Sequence, residues 1–188
     1  MPTPSGPAWC AQFPTSASLD DLTPAFRDSV TAFIAALRAA GAKVAISATY
    51  RPPERAYLMH WCSMIAGYTK NGQQVIVPAT AATPMPSVDI DWTHGGDANA
   101  AKAAAAAMVK AYNIAFPAVL VSRHTQRRAI DMTITGSGTI NAKDVSGAVH
   151  AIALTADNSK NAGLIALGKS YKVIKLLSDA PHWSDDGH

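Results

Sequence analysis

The stretch Ser122-Arg123-His124-Thr125-Gln126-Arg127-Arg128-Ala129-Ile130-Asp131 decides how the rest of the chain is read. A histidine in a polar, cationic loop is followed seven residues later by an aspartate, near the start of the run Ala129-Ile-Asp-Met-Thr-Ile-Thr135. Apolar and polar residues alternate there, which predicts a half-buried strand. His124 therefore comes from a loop and Asp131 from the strand it feeds. On their own the two are as much a structural pair as half of an ion site. The later Asp179-Ala-Pro-His182 adds a second histidine and a second carboxylate. A hydrolytic zinc site uses three ligands drawn from histidine and carboxylate. It also needs a carboxylate outside the ligand set to take the proton of the attacking water. His124, Asp131 and His182 meet the first need and Asp179 the second. Arg51 adds a fixed cation for charge developing on a carbonyl oxygen, a donor whose removal typically costs ~3 kcal/mol of barrier.

Outward from this stretch, the pattern predicts an alternation of helices and short strands. Thr23-Pro24 is an N-cap and first-turn proline. Phe26, Val30, Phe33, Ile34 and Leu37 then recur at helical spacing up to Gly41. Lys43 to Tyr50 reads as a strand, and Pro52-Pro53 opens a second helix with Leu58, Trp61, Cys62 and Ile65 on one face. Arg51 thus sits at a strand-to-helix corner. Periodicity lapses from Tyr68 to Gly96, which predicts a long loop. Asp97 caps an alanine-rich helix ending near Asn113. Strands are expected at Ala118–Val121 and Ala129–Thr135. The turn Gly136-Ser137-Gly138 predicts a hairpin partner from Thr139. A helical segment at Asn161–Tyr171 and a strand at Val173–Leu177 complete the pattern. The expected class is α+β: a small, mainly antiparallel sheet carrying the metal site, packed with helices. Residues 1–22 read as an irregular arm and 23–188 as a single domain.

The bulk numbers exclude several functions. The 188 residues are 48% apolar and 15% charged, a globular composition, and the net charge is only +3. No Lys/Arg block marks a nucleic-acid face. No apolar run approaches the ~20 residues needed to span a bilayer, so no membrane insertion is expected. Residues 1–18 have neither a basic start nor an apolar core, so no secretory signal is expected. Cys10 and Cys62 cannot form a thiolate metal site and are expected as free buried thiols.

Ser122-Arg-His124-Thr-Gln-Arg-Arg-Ala129-Ile-Asp131 resembles the Ser-x-His-x-x-Gly-x-Ala-x-Asp motif of the zinc D-Ala-D-Ala carboxypeptidase and L-alanyl-D-glutamate endopeptidase family, which shares its fold with the Hedgehog signalling domain. Asp179-Ala-Pro-His182-Trp183 is similar to that family's second motif. Ser47-Ala-Thr-Tyr-Arg51 is similar to the segment carrying its substrate-polarising arginine. The resemblance implies one zinc ion per chain held by His124, Asp131 and His182, with Asp179 as general base and Arg51 as oxyanion stabiliser. It makes 23–188 a zinc peptidase domain that cuts a peptide bond of the peptidoglycan stem. An aspartate base looks like the endopeptidases. The expected partners are the stem peptide and an immunity or delivery protein. Synthesis without a signal peptide and action on the wall after lysis or injection resemble phage endolysins and injected bacteriolytic effectors. The rival expectation is a non-catalytic, zinc-containing module of a phage tail or secretion apparatus that binds peptidoglycan or a protein. Ser122, Arg127, Trp183 and Tyr50 are the expected substrate contacts. Arg127 stands where the family has glycine. If φ is positive there, an arginine costs on the order of 1 kcal/mol. A long cation so placed either blocks the cleft or meets a substrate carboxylate.

A second cluster, Asp89-Ile-Asp91-Trp-Thr-His94-Gly-Gly-Asp97, has the composition of an ion site but reads as a hydrated loop ending in a helix cap. His60 reads as surface or packing, and no partner for His150 is legible. Asp185, Asp186 and His188 are expected to fray rather than to touch a ligand.

Overall fold

The computed structural model describes residues 1–71 and 73–188. In chain order the regular elements are β1 (Thr3–Pro4), α1 (Pro24–Ala39), β2 (Lys43–Ala48), α2 (Pro53–Ala66), β3 (Tyr68–Lys70), β4 (Gln73–Val75) and β5 (Ile90–Asp91). They continue with α3 (Ala98–Tyr112), β6 (Ala129–Thr135), β7 (Thr139–Lys143), β8 (Val149–Ala153), α4 (Ala162–Ser170), β9 (Ile174–Lys175) and β10 (His182–Ser184). The class is α+β with small, mostly antiparallel sheets. No helix among the described residues is long and apolar enough to cross a membrane.

Two compact units form: residues 1–14 with 52–122, and residues 15–51 with 123–188. The sequence reading draws its boundary at residue 22 instead. In the first unit α2 and α3 pack around Leu58, Trp61, Cys62, Ile65, Ala105 and Met108. Trp9 joins that core with 6% of its surface exposed, so the N-terminal arm is anchored there. The expected long loop holds the antiparallel pair β3–β4, and β5 pairs in parallel with β1. No strand forms at 118–121: Val119, Leu120 and Val121 are exposed, so their apolar run has no sheet to join. Cys10 and Cys62 are free thiols, and burial pushes the Cys62 thiol up to about 12.

The second unit is built on a four-stranded antiparallel sheet in the order β2-β6-β10-β9. Alternation along β6 sends Ile130, Met132 and Ile134 into the core and leaves Asp131, Thr133 and Thr135 on the opposite face. Phe26, Val30, Phe33, Ile34 and Leu37 of α1 belong to the same core as Ile130, Met132 and Trp183. Truncating fully buried Leu37 to alanine would cost about 3 kcal/mol. Helix α1 starts at Pro24, but Thr23 makes no side-chain cap; its N–H donates instead to the Arg127 carbonyl at 2.9 Å. The expected hairpin partner does begin at Thr139, yet β7 pairs with β8 and not with β6. Both edges of β6 are already engaged, by β2 and β10. Gly136 also turns the chain against Leu154, whose Cδ1 would lie 2.6 Å from any added Cβ.

Candidate metal centre

Sheet register brings two of the three candidate ligands together. Asp131 of β6 lies directly opposite His182 of β10, so their side chains leave the sheet on one face. His124 arrives from the turn before β6. Its carbonyl accepts the N–H groups of Arg127 at 3.2 Å and Arg51 at 3.3 Å, which fixes the loop against the end of β2. Strand β2 carries a register shift between Ile46 and Ala48, and Ser47 Oγ donates to the Asp131 carbonyl at 3.3 Å. Such a bulge re-aims the chain locally and is common beside functional sites.

Three atoms converge. His124 Nε2 is 3.1 Å from Asp131 Oδ1 and 3.1 Å from His182 Nδ1, and His182 Nδ1 is 3.2 Å from Asp131 Oδ1. Both imidazoles are buried and Asp131 is half-buried. The opposite ring nitrogens fix their tautomers: His124 Nδ1 is 3.1 Å from the Thr49 carbonyl and His182 Nε2 is 3.1 Å from the His188 carbonyl. A carbonyl only accepts, so in the neutral form of each ring the outer nitrogen carries the proton and a lone pair turns inward. With a carboxylate oxygen beside them, three acceptors face one another without a donor. The group could hold a metal ion. Burial alone would raise the Asp131 carboxyl. With the rings protonated instead, hydrogen bonding and charge from His124 and His182 outweigh it and hold Asp131 well below the usual carboxylate range.

Lys175 is the residue sequence reasoning missed. Only 6% exposed, its Nζ donates to the carbonyls of Leu176 at 2.6 Å, His182 at 3.1 Å and, more closely, Asp179. One buried ammonium therefore pins both ends of the turn bearing Asp179 and His182. Burial pulls Lys175 below its ordinary value, while Asp179 and Asp131 act in the other direction. The one legible signal was its spacing of two from Val173, which puts a lysine on a buried strand face.

The other expected residues fall as follows. The Asp179 carboxylate is exposed and makes no hydrogen bond or ion pair among the described residues. Arg51 is half-buried, its N–H on the His124 carbonyl. Arg127 does have a positive φ, +61°, and its guanidinium lies 4.3 Å from the centroid of the Tyr50 ring. Trp183 is buried against Phe33, with ring centroids 5.4 Å apart, so packing is its role there. Ser122 belongs to the first unit. Residues 185–188 do not fray: Asp185 and Asp186 pair with Arg128 and Arg123, and the His188 carbonyl meets His182. His60 Nδ1 lies 2.8 Å from the Ala118 carbonyl, and His150 has a partner after all, Asp144 at 2.7 Å.

A cavity of about 490 Å³ is lined among others by Ser47, Thr133, Thr135, Asn158, Lys175 and Pro181, and not by His124, Asp131 or His182 themselves. Of its lining residues, Thr133 and Thr135 share the face of β6 that carries Asp131. No protein-family model matches the chain, and no curated protein and no solved structure matches it either.

Proposed function

We propose that this chain is a zinc-dependent peptidase that hydrolyses a peptide bond of the peptidoglycan stem. The observation carrying this reading is the convergence of two imidazole lone pairs and one carboxylate, each imidazole tied outward to a backbone carbonyl. Zinc bonds of about 2.0–2.1 Å at tetrahedral angles hold donor atoms roughly 3.3–3.4 Å apart. The trio, at 3.1 to 3.2 Å, is close to that size. Two neutral donors and one carboxylate are also a ligand set typical of hydrolytic zinc.

When bound, zinc supplies Lewis acidity toward the scissile carbonyl and lowers the proton affinity of water. Arg51 donates to the carbonyl oxygen as negative charge develops on it. Asp179, exposed and without a side-chain hydrogen bond among the described residues, accepts the proton of the attacking water. The water oxygen bonds to the carbonyl carbon, the C–N bond breaks, and Asp179 returns the proton to the leaving nitrogen. The cavity beside β6 receives the flanking peptide. Peptidoglycan is the proposed substrate because the three motifs fall in the order of the wall peptidases they resemble. The proposed site of action is the cell wall.

The test is mass spectrometry of soluble muropeptides released from purified sacculi, with and without a zinc chelator. Chelator-sensitive products are expected, and their masses identify the bond. Absence of products from folded, zinc-loaded protein would sink the peptidase reading. One observation favours a second reading, a wall-binding module without turnover: Arg127 fills a left-handed position where the peptidases carry glycine. Co-sedimentation with sacculi in the absence of products would then be the outcome.

A further inference from the structure

Three arginines lie on the loop around His124, and they differ in what neutralises them. Arg123 pairs with Asp186, and its Nε lies 3.7 Å from Asp185. Arg128 Nε lies 2.7 Å from Asp185. Arg127 has no carboxylate within ion-pair distance and no side-chain hydrogen bond among the described residues. Its guanidinium rests instead on the ring of Tyr50. A cation stacked on an aromatic face keeps its planar edge of N–H donors available, the edge that grips a carboxylate in a two-point contact.

The stack is held from several sides. Arg127 N–H donates to the His124 carbonyl at 3.2 Å, and the Arg127 carbonyl accepts from Thr23 at 2.9 Å. These bonds fix it at φ +61°, a left-handed conformation that is unfavourable for a side chain of this kind. The Tyr50 carbonyl accepts from Ser16 at 2.9 Å. Tyr50 lies between Thr49, whose carbonyl holds His124, and Arg51, whose N–H also reaches the His124 loop. An exposed, uncompensated cation is therefore anchored on the two segments that carry His124 and Arg51.

We infer that Arg127, on its Tyr50 platform, is the carboxylate anchor of the site and selects peptides bearing a free carboxylate near the scissile bond. The inference rests on the peptidase reading for its substrate but not for its test. In a stem peptide the carboxylate is either the α-carboxylate of a γ-linked D-glutamate or the one at the C-terminus. Calorimetric titration of the zinc-loaded protein would use L-Ala–γ-D-Glu–L-Lys–D-Ala and two derivatives, each with one of those carboxylates converted to a carboxamide. Hydrolysis is followed in the same samples.

One amidation is expected to weaken binding about tenfold or more, as loss of a charged hydrogen-bond partner does, and its identity names the carboxylate. In Arg127→Gln, acid and amide should bind within about twofold of each other. Arg127→Lys, charged but lacking the planar fork, should restore only part of the selectivity. Arg127→Gly, which suits the left-handed backbone, provides a variant without the cation should the glutamine form fold poorly. Equal binding of acid and both amides by the wild type, or selectivity that survives in Arg127→Gln and Arg127→Gly, overturns the anchor. Selectivity lost in the variants without hydrolysis by the wild type leaves the anchor standing and overturns the peptidase alone. Failure of all three peptides to bind overturns both.

Discussion

Two regions of this molecule gather histidine and aspartate, and they use them in opposite ways. In residues 91–97 the carboxylates turn onto their own backbone. Asp91 Oδ1 accepts from the Thr93 N–H at 2.7 Å and its hydroxyl at 2.6 Å, and Oδ2 accepts from Gly95 at 3.2 Å. Asp97 Oδ1 caps α3 through Asn99 and Ala100, both at 3.0 Å, and His94 Nε2 lies 2.9 Å from Ser5 Oγ. Among the described residues their ligand atoms do not gather into a group that could hold an ion. At His124, Asp131 and His182 the backbone takes the outer nitrogens and leaves the inner atoms facing each other. Composition is similar in the two clusters. What separates them is which donors and acceptors are left after local hydrogen bonding is complete.

The largest effect expected from this contrast is on metal content. Alanine at His124, Asp131 or His182 should abolish stoichiometric zinc binding and the thermal stabilisation that comes with it. Asp91→Asn and His94→Ala should leave the zinc content unchanged. Plasma emission spectrometry on dialysed protein decides this, and metal lost equally from both sets would erase the distinction. Next in size, Asp179→Ala should retain zinc but lose roughly 10²–10⁴-fold in muropeptide turnover. Zinc lost with Asp179 would make that residue a ligand and the scheme wrong.

A smaller change sharpens the role of the backbone. Lys175→Met leaves three carbonyls without their ammonium and frees the turn holding His182. Zinc affinity should fall about 10- to 100-fold, and the cobalt-substituted protein should show an altered visible spectrum. An unchanged spectrum and affinity would mean that the turn holds its shape without the lysine.

The smallest expected effect concerns acid. Asp131 has a depressed carboxyl in the folded state. Its contribution to stability is thus present above the unfolded carboxylate value of ~3.9 and is lost only as pH falls through the lower folded value. Zinc release on acidification should therefore be complete above pH ~4, driven by protons competing for the imidazoles and not for Asp131. A chromophoric chelator monitors the release, and metal retained below that pH would contradict the assignment.

Much of the scaffold was legible. Proline and periodic apolar residues predict α1 and α2, Asp97 predicts the cap of α3, and alternation predicts β6. The misses share one cause. Ala118–Val121 and the expected β6–β7 hairpin were read from local pattern, whereas pairing depends on which strand edges remain open after folding. Val149–Ala153, the true partner of β7, is mostly exposed and gives almost no apolar alternation to read. In the candidate site, the residue types and their order were visible, but their orientation was not. The Thr49 and His188 carbonyls that set the two tautomers carry no signature, because every residue has a carbonyl.

By itself, then, the sequence determined which side chains could meet: a loop histidine, a strand aspartate and a histidine three residues after an aspartate. Local periodicity fixed the face from which Asp131 projects. Only the tertiary structure decided that Asp131 and His182 stand in register, that both imidazoles turn lone pairs inward, and that Arg127 rests on Tyr50 while its neighbours are neutralised. The physical reason is that side-chain identity is local, whereas hydrogen-bond satisfaction and charge pairing depend on every group that folding brings within reach.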